Sequence, residues 1–255
     1  MRFGALLALT CVLSVHAQQS RDDLHASFFQ AQASRFTVRF EGDEDFELAS
    51  RALEVLDAAY ERIGAALVHY PQQPITVILY TQQQFQDVTR APAWAAGAFD
   101  GRIRIPLRGA LAQPEELTRV LSHELAHAMV HAIAPAKVPF WLNEGLAVVF
   151  EPQGADRADA ELARTPQRLP VRRLTDSFRG LSGEEARVAY AQSAVMARRL
   201  LDDAGGPTLV SILRDLSAGQ SFQTAYEHRL SLSLESFLRT FEPTPGLPER
   251  LNGVP

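Results

Sequence analysis

The chain has 255 residues, of which 46% are hydrophobic and 22% are charged, and its formal net charge is −5. This composition is ordinary for a globular protein, and the length allows one large domain or two small ones with a sizeable core. No block of Lys and Arg stands out, which argues against nucleic acid or an anionic membrane surface as the partner.

The N-terminus has the features of a secretory signal peptide at residues 1–17. Arg2 supplies a positive charge, residues 6–15 form a short apolar run, and cleavage is expected after Ala17. The alternative, a lipoprotein acylated at Cys11, fits poorly because it would cut the apolar run short. We therefore predict an exported bacterial protein, periplasmic or secreted, with no transmembrane segment.

The first half of the mature chain alternates between strand and helix signals. Apolar residues recur at every second position in residues 35–41 and at helical spacing in residues 46–70, where Pro71 and Pro74 end the helix. We predict a flexible segment at residues 18–33, strands at 35–41 and 75–80, a long helix at 46–70 and a short helix at 81–88.

Asp100 and Gly101 form a dipeptide that is typical of a tight hairpin turn. Strand-like sequence flanks this dipeptide at residues 95–99 and 102–107. Two interpretations are open. The hairpin either simply closes the sheet, or it presents an edge strand along residues 95–107 to which an extended peptide adds through main-chain hydrogen bonds.

The helix predicted from Pro114 to about residue 133 contains His123, Glu124 and His127 in an H-E-x-x-H arrangement. Residues four apart lie on one helical face, so the two imidazoles point at one position, as in zinc sites. The only cysteine lies in the signal peptide, which leaves His and carboxylate as the strong ligands. The competing interpretation is a pair of buried histidines that hydrogen-bond to nearby polar groups.

A second predicted helix, residues 139–152, contains Glu144 in an apolar segment. Together with the two histidines it would make a three-ligand site with a fourth position open to water, the pattern of catalytic zinc. Glu124 would take a proton from that water. His131 continues the histidine spacing but lies about 6 Å further along the helix axis than His127. We therefore predict a packing or supporting role for it rather than ligation.

The rest of the chain is predicted to be mainly helical. A polar surface loop is expected at residues 154–171 and a flexible tail at 243–255. Helical periodicity predicts helices at residues 184–204, 207–216, 221–230 and 234–241. Tyr190, on the first of them, is a candidate hydrogen-bond donor to the carbonyl oxygen on which charge develops. The other interpretation of Tyr190 is a packing aromatic.

The segments HELAH and WLNEGLA, at residues 123–127 and 141–147, resemble the paired helix motif of gluzincin zinc metallopeptidases. They look like the aminopeptidase N-like catalytic core, and the chain length is similar to that of the small bacterial peptidase-MA-like family. The resemblance implies one Zn²⁺ per chain on His123, His127 and Glu144. It also implies Glu124 as the general base and Tyr190 as the donor that steadies the oxyanion.

The same resemblance implies an α+β fold with a small mixed β-sheet, an active-site helix pair and a mainly helical C-terminal subdomain. We expect the sheet and the zinc helices at residues 34–152, and a helical subdomain at residues 153–242 that completes one peptidase domain. The edge strand of the sheet would border the active-site helix.

Two departures from the family pattern bear on activity. Aminopeptidases hold the free amine of the substrate with an acidic residue in a Gly-x-Met-Glu-Asn segment, and residues 96–101 contain no such glutamate. In several gluzincins an aspartate four residues after the glutamate ligand orients a histidine, and here that position is Val148. We therefore predict an exported zinc metallopeptidase that acts as an endopeptidase on peptides or proteins. The alternatives are a catalytically inactive zinc-containing scaffold of the cell envelope and, less well supported, a chaperone-like helical module.

Overall fold

Five strands form one mixed sheet, and helices make up most of the remaining chain. The computed structural model describes residues 29–32, 35–42, 46–90, 96–106, 113–135, 138–165 and 167–243. The strands are β1 (Phe29–Gln32), β2 (Phe36–Phe40), β3 (Ile75–Tyr80), β4 (Ala98–Phe99) and β5 (Ile103–Pro106). They lie in the order β1-β2-β3-β5-β4, with parallel pairs at β2–β3 and β3–β5 and an antiparallel pair at each end. The predicted α+β class is confirmed.

Burial follows the sequence pattern of the two central strands that were predicted. Phe36, Val38 and Phe40 are buried while the residues between them are half-buried, which is the period-two pattern of a strand with one covered face. Residues Val77 to Tyr80 of β3 are all buried. This strand lies between two parallel neighbours, and parallel strands of this kind are covered on both faces and therefore apolar throughout.

The flexible segment predicted at residues 18–33 is wrong at Phe29–Gln32, which forms β1. This strand pairs antiparallel with β2, so that Phe29 lies opposite Phe40 and Gln32 opposite Thr37. These residues form a strand because they pair with the main chain of β2. Strand formation depends more on the neighbouring strand than on local propensity. The predicted signal peptide and the tail from residue 244 lie outside the described residues.

The described residues contain nine α-helices, whose bounds follow the predicted helices closely with one exception. These are α1 (Phe46–Leu67), α2 (Gln82–Thr89), α3 (Pro114–Ile133), α4 (Phe140–Val149), α5 (Gly154–Arg164), α6 (Gly183–Ala204), α7 (Gly206–Ser217), α8 (Phe222–Leu230) and α9 (Leu234–Arg239). Short 3-10 helices occur at Val171–Leu174 and Phe178–Gly180. No helix in the described part of the chain has both the length and the apolarity that a bilayer-spanning segment requires.

The exception is the surface loop predicted at residues 154–171, which is wrong because Gly154–Arg164 forms α5. Ala158 and Leu162, four residues apart, are buried, and α5 packs against α6. Arg198 of α6 donates hydrogen bonds of 2.8 and 3.0 Å to the carboxylate of Asp159. The polar composition obscured a narrow apolar stripe, which a helix needs only on its inward face.

The predicted hairpin is confirmed within the described residues. Ala98 of β4 lies opposite Arg104 of β5, and Gly101 at the turn has a φ of 97°, a conformation that favours glycine. β4 is the last strand in the sheet order, so it is an edge strand. Residues 95 and 107, at the outer ends of the predicted strands, lie outside the described residues.

The chain divides into two compact units: residues 1–62 with 70–128, and residues 63–69 with 129–255. The first unit contains the sheet. There Tyr60 of α1 packs edge-on against Phe36, with ring centroids 5.8 Å apart, and its hydroxyl donates a 2.6 Å hydrogen bond to the carbonyl of Pro71. In the second unit α6 packs against both α4 and α5. The domain ranges expected from the sequence stay a prediction.

Candidate metal centre

His123 and His127 lie one turn apart on α3 and face each other closely. Their Nε2 atoms are 3.2 Å apart, and their rings meet edge-to-face with centroids 4.8 Å apart. Two nitrogens at about 2.0–2.1 Å from one tetrahedral zinc ion are roughly 3.3 Å apart. The histidine pair therefore has the spacing of two ligands on a single ion.

Glu144 of α4 completes a group of three potential metal ligands. One nitrogen from each histidine and one carboxylate oxygen of Glu144 all lie within 4.8 Å of one another. Glu144 is buried, with 9% of its surface exposed, in a helix whose other buried residues are apolar. A buried carboxylate is costly unless a positive charge or donors accompany it, and two imidazoles with a carboxylate are the donor set that suits zinc.

The helix that carries Glu144 is fixed in place by a close approach to α6. A Cβ added at Gly145 would lie 2.2 Å from the carbonyl oxygen of Ser193 and 2.7 Å from the Cβ of Ala197. Only glycine permits this separation of the two helices, because the nearest atom belongs to the main chain and has no rotamer to change. The residue next to the third ligand therefore sets the position of α4 on α6.

We expect Gly145→Ala to lower the free energy of unfolding by about 1–3 kcal/mol, because the added methyl group must push α4 away from α6. Urea denaturation of the zinc-loaded protein measures this. The matched control is Gly183→Ala, where an added Cβ meets nothing within 4 Å. Equal stability of the two variants would show that the contact at Gly145 does not determine the packing of α4.

Glu124 directly follows His123 and belongs to the first compact unit. Its side chain is buried, with 7% of the residue exposed, and it lies against the main chain at Gly97. The preceding residue, Ser122, accepts a 3.3 Å hydrogen bond from Arg62 of α1, and burial lowers the pKa of that arginine. Neither the position of Gly97 against Glu124 nor the hydrogen bond from Arg62 to Ser122 was predicted from the sequence. The one available signal was a glycine beside the predicted edge strand.

Tyr190 lies in the second turn of α6, after a capping box in which Ser182 and Glu185 exchange hydrogen bonds. Its half-buried ring packs edge-on against Phe178, with centroids 5.1 Å apart. Phe178 packs in the same way against Phe140, the first residue of α4, at 4.7 Å. Tyr190 thus adjoins an aromatic row that ends on the helix of Glu144, and its catalytic role stays a prediction.

His131 lies outside the ligand group, as the geometry of the helix predicts. It is one turn beyond His127 near the end of α3, and its side chain is exposed. The nitrogen and oxygen atoms that lie within 4.8 Å of one another belong to His123, His127 and Glu144.

The edge hairpin contains an ion pair between a buried arginine and an exposed aspartate. Arg104 of β5, 3% exposed, donates hydrogen bonds of 3.1 and 3.0 Å to the two carboxylate oxygens of Asp100, and a short one to the hydroxyl of Tyr80. Asp100 is the acidic residue of segment 96–101. Its charge is compensated by this arginine, so the hairpin offers no free carboxylate in that segment.

Solved structures that resemble this chain include three structures of one yeast enzyme. Native yeast LTA4 hydrolase has a TM-score of 0.53 at 17% identity, and the match covers 89% of this chain and 40% of that one. Yeast LTA4 hydrolase in complex with bestatin has a TM-score of 0.52 at 19% identity, covering 90% and 41%. Leukotriene A4 hydrolase from Saccharomyces cerevisiae has a TM-score of 0.50 at 16% identity, covering 88% and 40%.

At these identities the likeness shows the fold alone, and this chain spans about two fifths of the length of the yeast hydrolase. No curated protein matches the chain. Residues 56–240 match the Peptidase MA superfamily, a range that includes both zinc-motif helices and Tyr190. The resemblance to peptidase-MA-like gluzincins is thereby confirmed, and the chain belongs to the Peptidase MA superfamily.

Proposed function

We propose that this protein is a zinc-dependent endopeptidase that is exported from a bacterial cell. The observation that carries the proposal is the group formed by His123, His127 and Glu144, whose ligand atoms lie within 4.8 Å of one another. Membership of the Peptidase MA superfamily supports a metallopeptidase-type function. The substrate type, the mode of cleavage and export are our inferences.

The two imidazoles and the carboxylate would hold the ion through three bonds. Bound zinc would polarise the scissile carbonyl and lower the pKa of a coordinated water molecule toward neutrality. The histidines would have to be neutral to bind, and their Nε2 atoms, 3.2 Å apart, are the atoms that would hold the ion. A carboxylate as buried as that of Glu144 is costly unless a cation or donors accompany it, so bound zinc would offset the cost of burying it.

Glu124 would act as general base. Its carboxylate would accept a proton from the attacking water and then deliver it to the nitrogen of the leaving amine. Burial supports this role, because with only 7% of the residue exposed few bulk water molecules can reach the carboxylate and compete for its hydrogen bonds. Tyr190 would donate a hydrogen bond to the oxygen that becomes negatively charged at the scissile carbonyl.

The hairpin supports internal cleavage rather than removal of N-terminal residues. An aminopeptidase needs a carboxylate that pairs with the free amine of the substrate. The acidic residue of segment 96–101 is Asp100, and its two oxygens already accept hydrogen bonds from Arg104. We propose that an extended peptide instead pairs with the edge strand β4 through main-chain hydrogen bonds, which do not require a free terminus on the substrate.

One set of measurements on purified protein tests the proposal. We expect about one zinc per chain, internal cleavage of peptides with blocked termini in a broad library, loss of cleavage with a chelator and recovery with zinc. Protein collected from the periplasm or the medium should begin at Gln18. A well-folded, metal-free protein would contradict the proposal. A zinc-loaded protein that cleaves nothing would favour the inactive scaffold, the second function that the sequence allows.

A further inference from the structure

Gly97 lies unusually close to the side chain of Glu124. A Cβ added at Gly97 would be 2.7 Å from Glu124 Oε1, 2.9 Å from Glu124 Cγ and 2.9 Å from Val120 Cγ1. Val120 precedes Glu124 by one helical turn and is itself buried. The space for a side chain at residue 97 is therefore already filled by two neighbours on the same face of α3.

Backbone conformation is not the reason for a glycine at this position. Among the described residues, the glycines with positive φ are Gly101, Gly205 and Gly219, so residue 97 does not need glycine for its backbone conformation. The position requires glycine because there is no room for a side chain. It precedes the edge strand β4 by one residue, and there the Glu124 side chain lies directly against the main chain.

A methyl group at this position would act on Glu124 more than on the fold. Ordinary van der Waals contact begins at 3.4 Å, so the nearest carboxylate oxygen would have to retreat by roughly 0.7 Å, and Glu124 Cγ and Val120 Cγ1 by roughly 0.5 Å each. The end of a glutamate side chain can rotate at small cost, whereas the helix and the strand are held by main-chain hydrogen bonds. The carboxylate is thus the group that moves.

We propose that Gly97 is a positioning residue for Glu124, and that its lack of a side chain fixes where the carboxylate stands. This inference rests on the proposed function, in which Glu124 is the general base. Proton transfer requires a donor–acceptor distance of about 2.6–3.2 Å, and a misplacement of about 1 Å can cost about 10²-fold in rate. Displacement by one methyl group is of this size.

The kinetic test is Gly97→Ala, with Gly183→Ala as the matched control at a position with open space. We expect kcat to fall about 10- to 100-fold, while KM and zinc content stay close to those of the wild type and the denaturation midpoint falls less than in Gly145→Ala, where the added Cβ meets main chain at 2.2 Å. KM is preserved because alanine keeps the main-chain groups of residue 97 that a paired peptide would use. A purely structural role would instead lower the denaturation midpoint as much as Gly145→Ala does, and a substrate-binding role would raise KM.

A second variant shows whether the effect passes through Glu124. In Glu124→Asp the shorter side chain withdraws from residue 97. Adding Gly97→Ala to this variant should therefore lower kcat by less than about 3-fold, a clear departure from additivity. An equal loss from Gly97→Ala in both backgrounds would overturn the proposal, as would an unchanged kcat in the single variant.

Crystal structures of the zinc-loaded wild type and Gly97→Ala give a readout that does not depend on activity. We expect the Glu124 carboxylate to be displaced by roughly 0.7 Å or more while the main chain of α3 stays in place. If the 96–99 segment moves and the carboxylate does not, the inference fails. An inactive wild type with a displaced carboxylate in the variant would refute the proposed function but leave the positioning role intact.

Discussion

Replacing Glu124 with glutamine is expected to lower kcat by about 10²–10⁴-fold, the usual contribution of a general base, while the zinc content stays near one ion per chain. Glutamine has the size of glutamate, so the buried position beside Gly97 remains filled. Its amide cannot accept the proton of the attacking water. The residue is not one of the three grouped ligands, so the ion should remain bound.

The measurement is the steady-state rate on the best library peptide, together with the zinc content of the same preparation. The control is Glu151→Gln, a second carboxylate with 7% exposure, which is paired with Arg157 and lies outside the site. We expect the control to keep its kcat within a factor of about two and to lose only stability. Comparable activity of Glu124→Gln and the wild type would remove Glu124 from the mechanism.

The histidine pair is the part of the site that the sequence predicts best, because one helix determines it. The spacing of His123 and His127 places both side chains on one face of the helix, which allows their Nε2 atoms to lie 3.2 Å apart. The same local reasoning excludes His131. The prediction of Glu144 as a ligand needed two further observations: an acidic residue in an apolar helix, and a resemblance to a known motif.

The errors in the predicted fold occur where order depends on a distant partner. Phe29–Gln32 becomes a strand because β2 lies beside it, and nothing in those four residues indicates the pairing. Gly154–Arg164 becomes a helix because α6 covers Ala158 and Leu162. Both segments are polar enough to look like loops when only their own composition is considered.

Gly97 illustrates a different limit. Gly97 stands just before the edge strand, and Glu124 lies 27 residues later in the chain, on α3. No periodicity relates the two positions. A glycine near a hairpin is ordinarily explained by the turn, and here Gly101 already serves the turn. Only the three-dimensional arrangement separates a glycine needed for its backbone from one needed for its missing side chain.

Replacing Glu144 with alanine is expected to weaken zinc binding by more than about 100-fold, since even groups that only support a ligand contribute about 10- to 100-fold. Two imidazoles would remain, and the loss of the carboxylate removes both a ligand and its negative charge. Peptide hydrolysis should fall to the background of the metal-free protein. Competition with a chromophoric chelator measures the affinity, and the rate is followed on the same samples.

The matched control is His131→Ala, which removes the exposed histidine one turn beyond His127 and should leave zinc affinity and kcat unchanged. Thermal unfolding supplies a readout that is independent of the chelator. Zinc at about 1,000 times its dissociation constant should stabilise the wild type and His131→Ala by about 4 kcal/mol, and the same concentration should stabilise Glu144→Ala far less. If His131→Ala loses zinc while Glu144→Ala keeps it, the ion is held by three turns of α3 alone. Glu144 would then have no part in the metal site.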